Sequence, residues 1–172
     1  MPITPDTKNW TWVLERPCPD CGYDAASIER EQVGALIREN ATAWQGVLAR
    51  SDVRTRPNDD TWSPLEYGCH VRDVFRICDV RLDLMLRQDE PQFPNWDQDE
   101  TALADRYDTQ DPATVAGELL DAAHRCAARF DGVAGDEWAR PGLRSDGSRF
   151  TVESFSRYLL HDPVHHLHDV GA

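Results

Sequence analysis

The sequence predicts an all-α fold, a four-helix bundle, on three observations. Four long segments place apolar residues at helical spacing with charges opposite, and no stretch shows the period-two alternation of a half-buried strand. Two of those segments open on a capping residue followed by proline, Ser63-Pro64 and Asp111-Pro112, a pairing suited to a helix start. With 172 residues the chain can bury a core of its own and needs no second domain. Residues 1–22 are expected to form an N-terminal extension with a CxxC loop, and residues 23–172 the bundle.

The first helix is expected from about Asp24 to Arg50, with Val33, Leu36, Ile37, Trp44, Val47 and Leu48 on one face. The second has the clearest start: Ser63 as N-cap, Pro64 at the first helical position, Glu66 closing a capping box, and Trp62 against Tyr67 as a hydrophobic staple. It should reach Arg87 and bury Val71, Val74, Phe75, Cys78, Leu82 and Met85. His70 lies one position from that stripe and can point inward. Gln88 to Thr101 is an acidic, proline-bearing loop whose Phe93 and Trp96 exceed the needs of a linker. These aromatics are expected to cover the mouth of a site or a dimer partner. The third helix begins at Asp111-Pro112 and runs through Val115, Leu119, Leu120, Ala123 and Ala127 to Phe130, where Gly132 stops it. Thr151 caps the fourth, whose Val152, Phe155, Leu159, Leu160, Val164 and Leu167 face the core. Pro163 deletes a backbone hydrogen bond there. Either the helix continues through a kink or Asp162 caps a new one, and the unbroken apolar spacing favours continuity.

A formal net charge of −13 repels phosphate backbones and anionic lipid, so neither nucleic acid nor a membrane surface is an expected partner. No apolar run approaches a membrane span, and Met1 to Trp10 lacks the basic and apolar regions of a signal peptide. A cytoplasmic location is expected. Of five cysteines, Cys69, Cys78 and Cys126 fall in apolar periodic stretches, where buried free thiols are usual. Cys18 and Cys21 form a CxxC in the loop Pro17-Cys18-Pro19-Asp20-Cys21-Gly22. That is half a zinc knuckle with no second CxxC, and no strand precedes it as a redox dithiol would require. A plain loop thiol pair is the favoured reading, with metal or redox use beside it.

Most of the histidine sits near the C-terminus, in His161-Asp162-Pro163-Val164-His165-His166-Leu167-His168. On a helix His161, His165 and His168 form one stripe, and His70 from another segment would complete a three-nitrogen metal site with positions left open for water or substrate. The plainer alternative is a solvated last turn whose rings complement the helix dipole. Asp73, three residues after His70, and Asp169, four after His165, could each hold a ligand histidine's second nitrogen or be solvated carboxylates. Tyr158 is a candidate general acid or substrate contact, with a core-edge tyrosine as the alternative. Arg140, Arg144 and Arg149 suit either an anionic substrate or plain surface charge.

The combination Trp62-Ser63-x-x-Glu66-x-x-x-His70 in one helix and His161-x-x-x-His165 in the last resembles the DinB/YfiT-like metalloenzymes, over roughly Asp24 to the C-terminus. Pro94-Asn95-Trp96-Asp97 and the N-terminal Trp10-Thr11-Trp12 followed by Cys-Pro-Asp-Cys look like actinobacterial members. The resemblance implies a four-helix bundle, often dimeric, with one divalent metal on three histidines that carry over to His70, His161 and His165. Zinc is the expected ion, with nickel, iron or manganese as alternatives. It also implies activation of a low-molecular-weight thiol, mycothiol in actinobacterial members, for S-transfer to a small electrophile. The candidate catalytic residues are then Tyr158 and Asp73, and the candidate cosubstrate contacts Arg140, Arg144 and Trp96. Two other classes stand beside this one: a metal-dependent hydrolase with hydroxide at the open position, and a non-enzymatic metal-binding or protein-binding bundle. His166 and His168 exceed the three ligand positions.

Overall fold

The structure, a computed structural model, describes residues 3–5 and 9–172, and the reading of Met1 to Trp10 as free of a targeting segment falls half outside them. Among the described residues there are five α-helices: α1 (Val33–Leu48), α2 (Pro64–Arg87), α3 (Gln98–Ala104), α4 (Pro112–Asp131) and α5 (Val152–Asp169). The four long ones make the expected bundle. α4 packs against both α1 and α2, and α5 packs against the same two from the other side, which leaves α4 and α5 at opposite corners. Ile37 and Trp44 of α1, Phe75 and Leu82 of α2, Leu119 and Phe130 of α4, and Phe155 and Leu159 of α5 meet in one continuous core. No helix among the described residues is long and apolar enough to cross a membrane.

The caps act as their residue types require. The Ser63 side chain accepts from the Glu66 backbone while Glu66 Oε2 accepts from the Ser63 N–H at 2.9 Å, and Trp62 meets Tyr67 edge-on at 5.5 Å. Asp111 caps α4 through the Thr114 N–H at 2.8 Å, and Thr151 caps α5 through the Ser154 N–H at 3.1 Å. α5 runs unbroken through Pro163, and Asn40 Nδ2 of α1 donates to the Pro163 carbonyl at 3.0 Å. That bond pins the rotation of α5 against the bundle.

Two expectations need correction. The first helix starts at Val33 rather than near Asp24, because Asp24 caps a short 3-10 turn over Ala25–Ser27 and Glu29 with Gln32 closes another over Arg30–Gln32. Such side-chain-to-backbone bonds compete with the α conformation. A two-stranded antiparallel hairpin, β1 (Pro141–Leu143) and β2 (Arg149–Thr151), occupies what reads in sequence as loop. It carries Gly142, where a Cβ would lie 2.5 Å from Phe93 Cζ and 2.9 Å from Met85 Cγ. The acidic loop docks onto the hairpin through the Phe93 N–H, which donates to the Leu143 carbonyl at 2.7 Å, and so lies over the α2–α5 side of the bundle.

Candidate metal centre

α5 carries two overlapping i,i+4 pairs, His161 with His165 and Asp162 with His166. One residue along a helix rotates the side chain by about 100°, so the pairs form adjacent stripes. Each stripe meets different elements.

The Asp162/His166 stripe faces His70 of α2. His70 Nε2 lies 3.3 Å from Asp162 Oδ1, His166 Nε2 lies 3.7 Å from the same oxygen, and one donor atom from each of the three residues falls within 4.8 Å of the others. Asp162 Oδ1 is buried without a hydrogen bond despite those neighbours. His70 Nε2 also contacts Asp162 Oδ2 at 3.5 Å, so the three groups converge on one point with Oδ1 left over, an arrangement that one ion could complete. His166 Nδ1 donates to Asp169 Oδ2 at 2.7 Å, which fixes the tautomer that leaves Nε2 as a lone-pair donor. Burial pushes the Asp162 carboxyl up, but the His70 and His166 imidazoles outweigh it and hold the group well below the usual carboxylate range. His70 is fully buried. Trp96 stacks on it at 5.5 Å and 7°, and the Trp62 ring stands 5.5 Å away on the same imidazole.

The His161/His165 stripe faces the N-terminal extension. Cys18 Sγ lies 3.7 Å from His165 Nδ1, and Cys18, Cys21, His161 and His165 each bring a donor atom within 4.8 Å of the others. Trp10 covers both rings at 5.2 Å, and Tyr23 stands 5.6 Å from His161. Burial, with His165 beside it, lowers the His161 pKa to about 4, and burial likewise lowers that of His165. Both rings are neutral at pH 7. Burial raises the Cys21 thiol to about 11, with the Cys18 sulfur adding to the shift.

The expected trio of His70, His161 and His165 is thus parted by the geometry. His70 joins Asp162 and His166, while His161 and His165 join the two cysteines. Asp162 is the one member of these groups that sequence alone does not offer as a ligand; His166 stands there only beyond the three ligand positions, and Cys18 and Cys21 carry metal use beside the favoured plain thiol pair. The signal available for the first two was the second i,i+4 pair, one position along.

The remaining candidates divide as well. Asp73 does not hold the second nitrogen of His70; its oxygens accept from Arg72 at 2.9 and 3.1 Å, Arg76 at 3.0 Å and the Tyr107 hydroxyl at 2.5 Å. Arg140 is likewise occupied, donating to the Met85 and Gln88 carbonyls at 2.6 and 2.8 Å where α2 ends, and Arg149 pairs with exposed Glu90. Arg144 and Tyr158 do reach the site. They line a cleft of about 580 Å³ together with Asp162, His166, Trp96 and Arg81, and Arg144 Nη1 donates to the Tyr158 hydroxyl at 3.2 Å. Burial, with Arg144 repelling it, lowers the Arg81 pKa, and burial raises that of Tyr158. Of the two loop aromatics, Phe93 enters the core beside Phe155 at 6.0 Å and only Trp96 belongs to the cleft.

The family model described as the DinB superfamily matches residues 35–170, the span that holds His70, Asp162 and His166 but not the two cysteines of the extension. A solved structure of YfiT from Bacillus subtilis, described as a probable metal-dependent hydrolase with an unusual four-helix bundle topology, superposes with a TM-score of 0.73 at 19% identity, covering 83% of this chain and 86% of that one. At that identity the likeness shows the fold. No curated protein matches the chain.

Proposed function

The chain belongs to the DinB superfamily, and we propose that it is a metal-dependent hydrolase acting on a small anionic substrate, with His70, Asp162 and His166 as the ligands of one divalent ion. The carrying observation is the convergence of two imidazoles and a buried carboxylate oxygen, His166 and Asp162 at the wall of the 580 Å³ cleft and His70 buried behind them. Two histidines and one carboxylate form a donor set that leaves coordination positions open, and zinc is the ion expected for it. A divalent ion held by these residues would supply Lewis acidity to a bound protic or carbonyl group. The description of YfiT as a probable metal-dependent hydrolase supports the same reaction class.

The chain's own residues supply orientation. Asp169 holds His166 through Nδ1, and Trp96, stacked on the His70 ring, and Trp62, tilted against it, pack beside an imidazole that is fully buried. Arg81 and Arg144 line one cleft, and Arg144 adds to the burial that disfavours the charge of Arg81, a repulsion that an anionic substrate group relieves. Tyr158, protonated at neutral pH as any tyrosine is, is held further from ionisation by its burial. Its hydroxyl accepts from Arg144 and can donate into the cleft. Thiol transfer, the reaction implied by the sequence resemblance, would use the same open face. The carboxylate donor, harder than a third imidazole, favours oxygen chemistry over thiolate.

The test is a panel of carboxylate-bearing esters and amides, assayed on zinc-loaded protein with and without added thiols, mycothiol among them. Turnover without thiol is expected, and His70→Ala, Asp162→Asn and His166→Ala should each abolish it and lose this ion. Arg144→Ala should raise KM by about 10- to 100-fold, the loss of one charged hydrogen bond. Turnover that appears only with a thiol would replace hydrolysis by transfer, and full activity in the Asp162→Asn variant would overturn the ligand set.

A further inference from the structure

Outside the proposed catalytic group lies a second constellation with a complete ligand complement. The turn Cys18-Pro19-Asp20-Cys21-Gly22 is closed by the Gly22 N–H, which donates to the Cys18 carbonyl at 2.9 Å, and by the Cys18 N–H, which donates to the Tyr23 carbonyl at 2.8 Å. Gly22 adopts φ +74, a left-handed conformation that glycine tolerates without a side-chain penalty. The turn aims both sulfurs at α5, where His161 and His165 supply the ligands that the half-knuckle lacks in sequence. Tyr23 fastens the same segment to α5 by donating to the Arg157 carbonyl at 2.6 Å.

We propose that Cys18, Cys21, His161 and His165 form a closed Cys2His2 zinc site that clasps the N-terminal extension to the last helix. Three observations support it independently of the proposed hydrolase reading. First, two sulfurs and two imidazole nitrogens are the donor set of a structural zinc site, and four protein ligands leave no open position. Second, zinc bond lengths place tetrahedral donors about 3.3 to 3.8 Å apart. The Cys18 Sγ to His165 Nδ1 distance of 3.7 Å already lies in that range, and all four donors fall within 4.8 Å. Third, His161 is only 4% exposed and its Nε2 is buried with no hydrogen-bond partner. A buried polar atom left in that state is costly, and a metal bond would satisfy it.

The site would have a consequence for the cleft beside it. His161 and His165 alternate along α5 with Asp162 and His166, so an ion that fixes the first pair also fixes the backbone carrying the second. Trp10, which lines the cleft and lies 5.2 Å from both histidines, is held in place by the same clasp.

The test uses the full chain loaded with zinc alone or cobalt alone. Wild-type protein is expected to protect Cys18 and Cys21 from maleimide, to lose that protection with a chelator, and to show thiolate-to-cobalt charge-transfer absorption. The Cys18→Ser/Cys21→Ser variant should lose that absorption and one equivalent of zinc. His166→Ala, which addresses only the other group, should keep both the absorption and the protection. If the hydrolase reading fails instead, wild-type protein still binds this one sulfur-protected ion, so the two failures are distinguishable. Equal alkylation of Cys18 and Cys21 with and without zinc would overturn the proposal, whether or not the double variant folds. So would a disulfide between them that forms as readily at full metal load.

Discussion

Replacing Asp73 by alanine separates a structural role from support of His70, the proposed metal ligand. Arg72 is only 3% exposed, and Asp73 neutralises it while also accepting from Arg76 and Tyr107. Breaking a buried ion pair by removing one partner costs about 3 to 5 kcal/mol, since the other charge is left uncompensated. Arg72 would keep Glu118 at 2.8 Å and Gln110 at 2.7 Å, but the Glu118 side chain is 41% exposed and compensates only in part. That places the expected loss near the lower end, about 3 kcal/mol. Tyr107→Phe removes one hydrogen bond to a charged acceptor and should cost about 1.5 to 2 kcal/mol. The double variant should lose less than the sum, because both changes act on one network. Urea unfolding in the presence of chelator measures these values without the contribution of bound metal, and metal content is measured separately. A loss below about 1 kcal/mol together with a 10- to 100-fold drop in metal affinity, the order found for partners of metal ligands, would refute the structural assignment. Asp73 would then support His70.

Acid should destabilise the bundle through Asp73 and Glu66. Burial raises both carboxyls, but hydrogen bonds from Arg72 and Tyr107 to the first, and from Arg56 and Ser63 to the second, more than offset it and leave both below their ordinary values. The stability they contribute is therefore present above about pH 4 and lost as pH falls through the folded values; the urea midpoint should drop between pH 5 and pH 3, and less steeply in Asp73→Asn. Gly142→Ala should cost about 1 to 3 kcal/mol by overpacking, as its Cβ would meet Phe93 and Met85. A thermal midpoint equal to wild type would show that the contact between hairpin and loop relaxes freely.

The parts of the fold that the sequence displays are those fixed by neighbouring residues. Ser63, Pro64 and Glu66 start α2 where they predict it, and Asp111-Pro112 and Thr151 do the same for α4 and α5. These signals depend on bonds across three or four residues. The hairpin escaped because three-residue strands are too short to show alternation. Its one local sign was Asp146-Gly147 at the turn, with Gly147 at φ +87.

The site was legible in kind but not in grouping, for a geometric reason. A sequence containing His161-x-x-x-His165 also contains Asp162-x-x-x-His166, and local spacing cannot decide which pair faces His70. The decision belongs to the rotation of α5 about its axis, where a one-residue step of about 100° exchanges one stripe for the other. That rotation is set by contacts remote in sequence: Asn40 on the Pro163 carbonyl, Tyr23 on the Arg157 carbonyl, and Arg50 Nη1 on the Val170 carbonyl at 2.6 Å. Each comes from a segment 120 or more residues away. The CxxC was incomplete for the same reason, since its nearest imidazole lies 147 residues on. Once α5 is fixed, one stripe turns to α2 and its open donor set, and the adjacent stripe turns to the extension and its paired sulfurs. A single helix then carries the group proposed for reaction on one stripe and the group proposed for structural metal on the stripe beside it.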